Sequence, residues 1–424
     1  MRLHVSYRSI WLGGKKGGED VRAKNPYPPA STPQFEIRKM TMILVVLCLL
    51  VVHCLADTAT TANPVATATP GQFIGYRNAS NTQSLRDLGF MGRLGNTWIL
   101  SFGDQLGTLK RDNYDPNTGN GACQTLTGRD GGGIQSDDPL AYADINTTTI
   151  FGNCQNVPQA GYWCPLVKGD QDNEGLGITN VVDINGTHGA IWTLPTLQPG
   201  CSTPCPAGAG LAVVSFDGQG IPRCSRPFGK TTWTVNEPTW GQLGAINATT
   251  NGIEYVYVYA NGYNNNKQIN SVVAARVPKT QAFQLGSYEY YQGNGVWNET
   301  RIYINQLSSA SPQNLGLIAG QGGIFYSNYY KRFIYITNGQ GVSDGDSIYQ
   351  FYAVAAQNPW GPWSNRVNLF SIDTSKQLPH YNNGLPASYG GFPMPKFFSV
   401  DGKTIYFSFT YVAFYEGVVK VLFK

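Results

Sequence analysis

The sequence predicts an all-β protein built by radial repetition of small antiparallel sheets, a β-propeller. Three observations lead there. Short runs of Val, Ile, Tyr and Phe alternate with a period of two and close on Gly, Asp or Asn, the pattern of strands bounded by turns. Gly supplies 50 of the 424 residues, and Tyr (25) outnumbers Phe (19). Charged residues make up only 13%, and stretches combining Ala, Leu, Glu and Lys at helical spacing are few, so a helical protein is disfavoured. A sandwich or jelly roll with many strands is the other all-β solution.

The N-terminus is set aside first. Residues 1–56 read as a leader. Arg38 and Lys39 precede an apolar run, Met42–Leu55, and Cys54-Leu55-Ala56 offers small residues for cleavage. That is the order of a secretory signal, and the run is short for a membrane span. A signal anchor is the alternative reading. The mature chain is expected to be extracellular, monomeric and without stable membrane insertion. Residues 57–70, DTATTANPVATATP, read as a Thr/Pro-rich linker, and residues 71–424 as the folded domain. The leader holds the basic excess. Residues 1–39 carry eight Lys/Arg and three Asp/Glu, so the remainder has 22 against 23. A net charge of −1 gives no field to attract nucleic acid, and none is expected as a partner.

Five alternating runs mark the expected inner strands: NTWILSFGD (96–104), LAVVSFDG (211–218), IEYVYVYANG (253–262), KRFIYITNG (331–339) and KTIYFSFT (403–410). Five runs predict five blades with long loop insertions. Further strands follow at 271–278 and 346–356. Six cysteines stand outside the leader: Cys123, Cys154, Cys164, Cys201, Cys205 and Cys224. An even number in an exported chain predicts disulfides within a Cys-rich loop insertion, with the pairing open. Cys201 and Cys205 have only His188 and His380 to join them outside the leader, so zinc is disfavoured. Sequons at Asn78, Asn146, Asn185, Asn247 and Asn298 predict N-glycans.

Candidate chemistry narrows quickly. Gly341-Val-Ser343-Asp-Gly345 fits G-x-S-x-G, but a strand pattern follows where the nucleophile elbow needs a helix. Asp170-Gln-Asp172-Asn-Glu174-Gly175 begins like a calcium loop, yet Val181 stands where a bidentate Glu is needed. No cofactor is expected, a structural Ca²⁺ at this loop being the one alternative. A His-poor, Tyr- and Trp-rich exported chain points instead to paired carboxylates acting on a sugar. Asp87 and Asp104 bracket the apolar run between them. Asp104 closes an expected inner strand, and Asp87 lies 17 residues earlier.

Residues 86–104 carry a resemblance. R-D-x-G-[apolar] at Arg86–Phe90, followed by W-x-[apolar]-x-F-G-D at Trp98–Asp104, resembles a family of secreted five-bladed propellers of formerly unknown function. That family includes microbial endo-D-arabinanases. The likeness runs from about Gln72 to the C-terminus, through IEYVYVYANG, GGIFYSNYYKRFIYI (322–336), YAVAAQNPWGPWS (352–364) and YGGFPMPKFFSVDGKTIYFSFT (389–410). It implies a glycosidase whose catalytic pair is Asp87 and Asp104, acting on a polysaccharide or glycoconjugate. Gln105 stands where the family has Thr, and the Cys-rich insert of 105–224 looks like the family's fungal-type branch. Related furanosidase propellers add a third carboxylate, for which Glu237 and Glu289 are the candidates. Arg86 is expected to hold Asp87 ionised, and Tyr389, before Gly390-Gly391, to contact substrate. A carbohydrate-binding propeller without turnover is the rival reading. A structural secreted protein with an exposed apolar patch is a third.

Overall fold

The computed structural model describes residues 63–79, 85–86, 89–101, 105–106, 134–136, 149–150, 167–168, 174–197, 205–206, 208–218, 222–262, 271–317, 320–339, 348–373, 388–411 and 415–424. The leader, Asp87, Asp104, Cys123, Cys154, Cys164, Cys201, Asn146, the Asp170–Asp172 loop, Ser343 and His380 lie outside them. Among the described residues no helix is long and apolar enough to cross a membrane.

The described strands form an all-β, propeller-like array, with four sheets of four to six strands as blades. One sheet orders the strands His188–Leu197, Gly210–Phe216 and Pro222–Ser225, with Cys205–Pro206, Glu174–Ile178 and Val182–Asp183 also pairing to His188–Leu197. The next runs Ala245–Thr250, Ile253–Asn261, Val272–Pro278, Glu289–Gly293 and Val296–Asn298. A third runs Gly322–Ser327, Arg332–Asn338, Ile348–Ala356 and Val367–Asp373. The last runs Ser388–Pro393, Thr404–Tyr411, Tyr415–Leu422, then returns to Gln72–Ala79 and ends on Thr149–Ile150. A three-stranded sheet, Phe90–Leu94, Thr97–Ser101 and Ile134–Ser136, and a two-stranded pair complete the set.

The alternation read from the sequence becomes a two-sided core. In IEYVYVYAN, Val256, Val258 and Ala260 pack with Trp192 and Leu211 of the preceding sheet and with Trp240 of the turns that follow it. Tyr255, Tyr257 and Tyr259 pack with Phe333, Tyr335 and Val354 of the following one. Arg332–Asn338 repeats the device: Phe333 and Tyr335 face backward, while Ile334 and Ile336 join Phe407, Phe409 and Val419 of the last sheet. The three-stranded sheet does the same. Leu94 and Ile99 meet Ile191 and Val214, and Met91 and Leu100 meet Met394 and Val418. Each such side chain contributes roughly 1.5–3 kcal/mol by leaving water. Tight turns make the sheets. Asn251 and Gly252, at φ 52° and 79°, form the two-residue loop between paired Thr250 and Ile253, the left-handed geometry that Asn-Gly favours in hairpins.

Three sequence expectations change. The alternating runs are not the inner strands. Phe90–Leu94, Val182–Asp183, Ala245–Thr250, Gly322–Ser327 and Ser388–Pro393 form a cycle of contacts, each meeting the next and the last meeting the first, and Arg332–Asn338 also meets Ser388–Pro393. Four of the five runs are the second strands of their sheets, and Gly210–Phe216 lies one further out. Second strands have neighbours on both faces and so need the strongest apolar alternation. Inner strands such as SYGGFP and GGIFYS are crowded and glycine-rich: a Cβ on Gly391 would sit 2.9 Å from Ile336 Cγ2. Next, part of the region read as a loop insertion, residues 105–224, builds the six-stranded sheet; its Gly, Asn and Thr turns had masked the strand pattern of HGAIWTLPTL. Finally, packing starts before Gly71. Val65 is 3% exposed, Thr67 bridges Phe423, and the Ala68 amide donates to the Leu422 carbonyl at 2.8 Å. The exposed edge of the last residues offers unpaired backbone groups, and this segment satisfies them.

Candidate functional site

The expected catalytic pair is approached from its described neighbours. Leu85–Arg86 and Gln105–Leu106 form an antiparallel ladder in which Arg86 and Gln105 are Cα partners. Asp87 follows the first and Asp104 precedes the second. The chain then enters the hairpin of Phe90–Leu94 and Thr97–Ser101, where Phe90 pairs with Ser101. This end of the hairpin is pinned. Ser101 Oγ donates to the Thr179 carbonyl at 2.5 Å, tying it to the six-stranded sheet. Ser408 Oγ of the last sheet donates to the Gly89 carbonyl at 3.2 Å.

A carboxylate that the sequence reading missed sits here. Glu416, on Tyr415–Leu422, is 2% exposed. Its register partners are Thr410 on one side and Arg77 on the other. A Cβ placed on Gly89 would fall 1.7 Å from Glu416 Oε1 and 3.0 Å from Ser408 Oγ. The acid therefore lies directly against the backbone two residues after Asp87, and its strand touches Leu85–Arg86. Its register partner Thr410 is buried, as is Ser408, which shares the Gly89 contact. A polar ledge of this kind replaces apolar packing at one junction between sheets, and buried acids persist only where other groups hold them. The signal was legible in YEGVVKVL: Glu416 shares a face with Val418, which is fully buried.

The other predicted residues are distributed differently. Tyr389 lies on Ser388–Pro393 opposite Thr410, beside the same junction, and is half-buried. The glycines after it do not clear space for a ligand. Gly390, at φ 83°, lies under the Phe392 ring, and Gly391 lies against Ile336. Glu237 is 2% exposed and committed to structure. Its Oε2 accepts from the Thr234 amide at 2.8 Å and the Thr234 hydroxyl at 3.1 Å, and both oxygens accept from Arg301 at 3.2 Å. Glu289 accepts from Arg276 Nε at 2.7 Å. That guanidinium is sandwiched between Tyr255 and Trp297, 4.4 and 4.5 Å from their ring centroids. Glu237 thus pairs between two loops and Glu289 within the sheet Ala245–Asn298. Trp98 packs on the Met91–Val418 cluster, as expected of a strand tryptophan. Cys224 is buried and disulfide-bonded.

The sequons separate as well. Asn185 and Asn298 are exposed, and each uses its side-chain oxygen as an acceptor from its own turn, Asn298 from the Thr300 amide at 2.9 Å. Asn247 uses its nitrogen instead, donating to the Asp183 carbonyl at 2.7 Å between two sheets.

No protein-family model matches the chain, and no curated protein matches it. Solved structures do. An exo-β-1,3-galactanase from Phanerochaete chrysosporium with β-1,3-galactotriose aligns at 10% identity and a TM-score of 0.41, covering 85% of this chain and 64% of that one. An endo-arabinase from Bacteroides thetaiotaomicron aligns at 11% identity and TM-score 0.37, covering 82% and 96%. A family 117 glycoside hydrolase from Zobellia galactanivorans aligns at 12% and 0.38, covering 84% and 91%. The chain therefore spans less than two thirds of the galactanase's length.

Proposed function

We propose that the chain is a secreted glycoside hydrolase cleaving a furanose-containing glycan such as arabinan, with Asp87 and Asp104 as its two working carboxyl groups. The observation that carries this reading is the register of the short ladder. Arg86 and Gln105, the chain neighbours of the two aspartates, are cross-strand partners. Pairing of these two neighbours across one short ladder supports a shared site for the aspartates, as an acid and base flanking a glycosidic bond require. One carboxylic acid protonates the leaving oxygen, and the other carboxylate attacks the sugar or activates water. Arg86 favours the ionised form of its neighbour. Glu416 acts as a positioning residue, fixing the Gly89 backbone behind Asp87.

The scaffold belongs to the same proposal. The three-stranded sheet is the fifth blade, which the cyclic contacts between successive sheets support. The strand Gln72–Ala79 closes the ring by pairing with Tyr415–Leu422. The cysteines of residues 123–224 staple the region before the third blade, the chain is exported as a monomer, and no cofactor takes part.

The test is reducing-end release from arabinans, arabinogalactans and fungal wall glycans by the mature protein and by Asp104→Asn. Release by the wild type alone supports the proposal. Equal release by both proteins refutes it. No release with glycan binding intact in both would establish a lectin-like propeller instead.

A further inference from the structure

We propose a second carbohydrate site: the cavity at the turn end of the inner strands binds a neutral oligosaccharide, independently of the aspartate pair. The cavity has a volume of about 680 Å³, within the roughly 300–1,000 Å³ of small-molecule sites. It is lined by Met91, Arg93 and Gly95, by Asn180 to Asp183, Ala245 to Asn247 and Ile324 to Asn328, and by residues between 395 and 402 after Ser388–Pro393. Gly95, in the hairpin turn between Leu94 and Thr97, lies on its wall. In sequence Asp87 precedes Phe90 and Asp104 follows Ser101, and Phe90 and Ser101 pair at the end of the hairpin away from Gly95.

Its chemistry selects the ligand. Among the described residues the charged lining side chains are Arg93 and Asp183, so opposite charges balance and neither an anion nor a cation is favoured. Asn247 spends its amide nitrogen on the Asp183 carbonyl, and its Oδ1 is buried behind the wall. The Asp183 carboxylate accepts the Gly186 amide at 2.8 Å through Oδ1, which leaves acceptor capacity beside Asn247. Such acceptors call for hydroxyl donors. Aromatic surface completes the match. Tyr326 is 42% exposed and is held edge-on by Phe333 at 5.1 Å, and Phe398 is held by Phe325 at 5.0 Å. Fixed rings beside unspent acceptors suit a molecule with apolar ring faces and a rim of hydroxyls. Arg93 contributes at the mouth. Its Nε and Nη2 are committed to Gly95 and Asn96, so the guanidinium plane is fixed over Trp98.

The experiment is calorimetric titration of the mature protein with neutral tetrasaccharides prepared from arabinan, galactan and glucan. It uses wild type, Tyr326→Ala, Asn247→Ala and Asp87→Asn. The expected result is saturable binding to wild type and Asp87→Asn, weakened about tenfold or more by Tyr326→Ala. Tyr326 is a surface ring without a hydrogen bond to its hydroxyl, so this variant reads the site even where Asn247→Ala unfolds. Absence of saturable binding to every tetrasaccharide overturns the proposal and leaves a water-filled channel. So does binding that Tyr326→Ala leaves unchanged, or that Asp87→Asn alone removes. Glycan cleavage does not enter the readout, so failure of the hydrolase reading leaves this result intact.

Discussion

Gly89→Ala is expected to destabilise the fold through one named contact. Gly89 does not occupy the left-handed region, so its backbone accepts alanine, and on chain entropy alone the change would stabilise by roughly 0.5–1 kcal/mol. Sterics oppose it. The new methyl falls 1.7 Å from Glu416 Oε1 and 2.6 Å from its Cδ, where a carbon–oxygen contact needs about 3.3 Å. The carboxylate must retreat by about 1.6 Å, and at 2% exposure it has no solvent to retreat into. Overpacking of this kind costs typically 1–3 kcal/mol, and loss of the acid's own hydrogen bonds adds to it, giving about 2–4 kcal/mol. Urea denaturation of wild type, Gly89→Ala, Glu416→Ala and the double variant closes a thermodynamic cycle. In the Glu416→Ala background the Gly89 substitution should cost less than about 1 kcal/mol. An equal cost in both backgrounds would refute the packing of Glu416 against Gly89.

Further outcomes follow from the same contacts. Glu237→Gln should lose about 1–3 kcal/mol of stability, because Arg301 and the Thr234 amide lose a charged acceptor. Activity per folded molecule should be unchanged; a selective rise in KM would restore Glu237 as a substrate contact. Arg276→Ala should cost about 1–2 kcal/mol in thermal or urea unfolding through loss of its stack on Tyr255 and Trp297; no measurable change would show that the stack is idle. Alkaline pH should destabilise the fold. Burial raises the phenols of Tyr259, Tyr288 and Tyr335 above the ordinary tyrosine value of about 10. The native state therefore keeps protons that the unfolded chain releases. Their contribution is complete below about pH 10 and is lost as pH rises above it, by about 1.4 kcal/mol per unit for each group. Phenolate absorbance of these three should appear only with unfolding. Peptide mass spectrometry should find glycan on Asn185 and Asn298 but not on Asn247, whose nitrogen is engaged; an occupied Asn247 would contradict that bond.

The all-β class was legible because alternation survives in the second strands. Their Tyr and Val faces meet different neighbouring sheets, so both faces had to be apolar, and IEYVYVYAN or KRFIYITN announces itself. The inner strands were hidden by the same geometry. Crowding selects glycine in SYGGFP and FMGRL, and glycine erases a strand signal. At the candidate site, the ladder that pairs Arg86 with Gln105 is two residues long on each side, too short for any periodicity to reveal. Glu416 was available to the sequence reader as the one acid in an apolar strand, but the Gly89 backbone it faces lies 327 residues earlier. Glu237 and Glu289 looked equivalent to it in sequence. Only their partners, Arg301 and Arg276, show that both serve the scaffold.

The most direct test of the account is the kcat/KM of wild type, Asp87→Asn, Asp104→Asn and the double variant on whichever glycan the wild type cleaves. If the two carboxyl groups act as one unit, each single change should cost about a thousandfold or more, and the double change little beyond that. Retention of activity within about tenfold by either single variant, or absence of cleavage by the wild type on every glycan, would contradict the assignment of Asp87 and Asp104 as the catalytic pair.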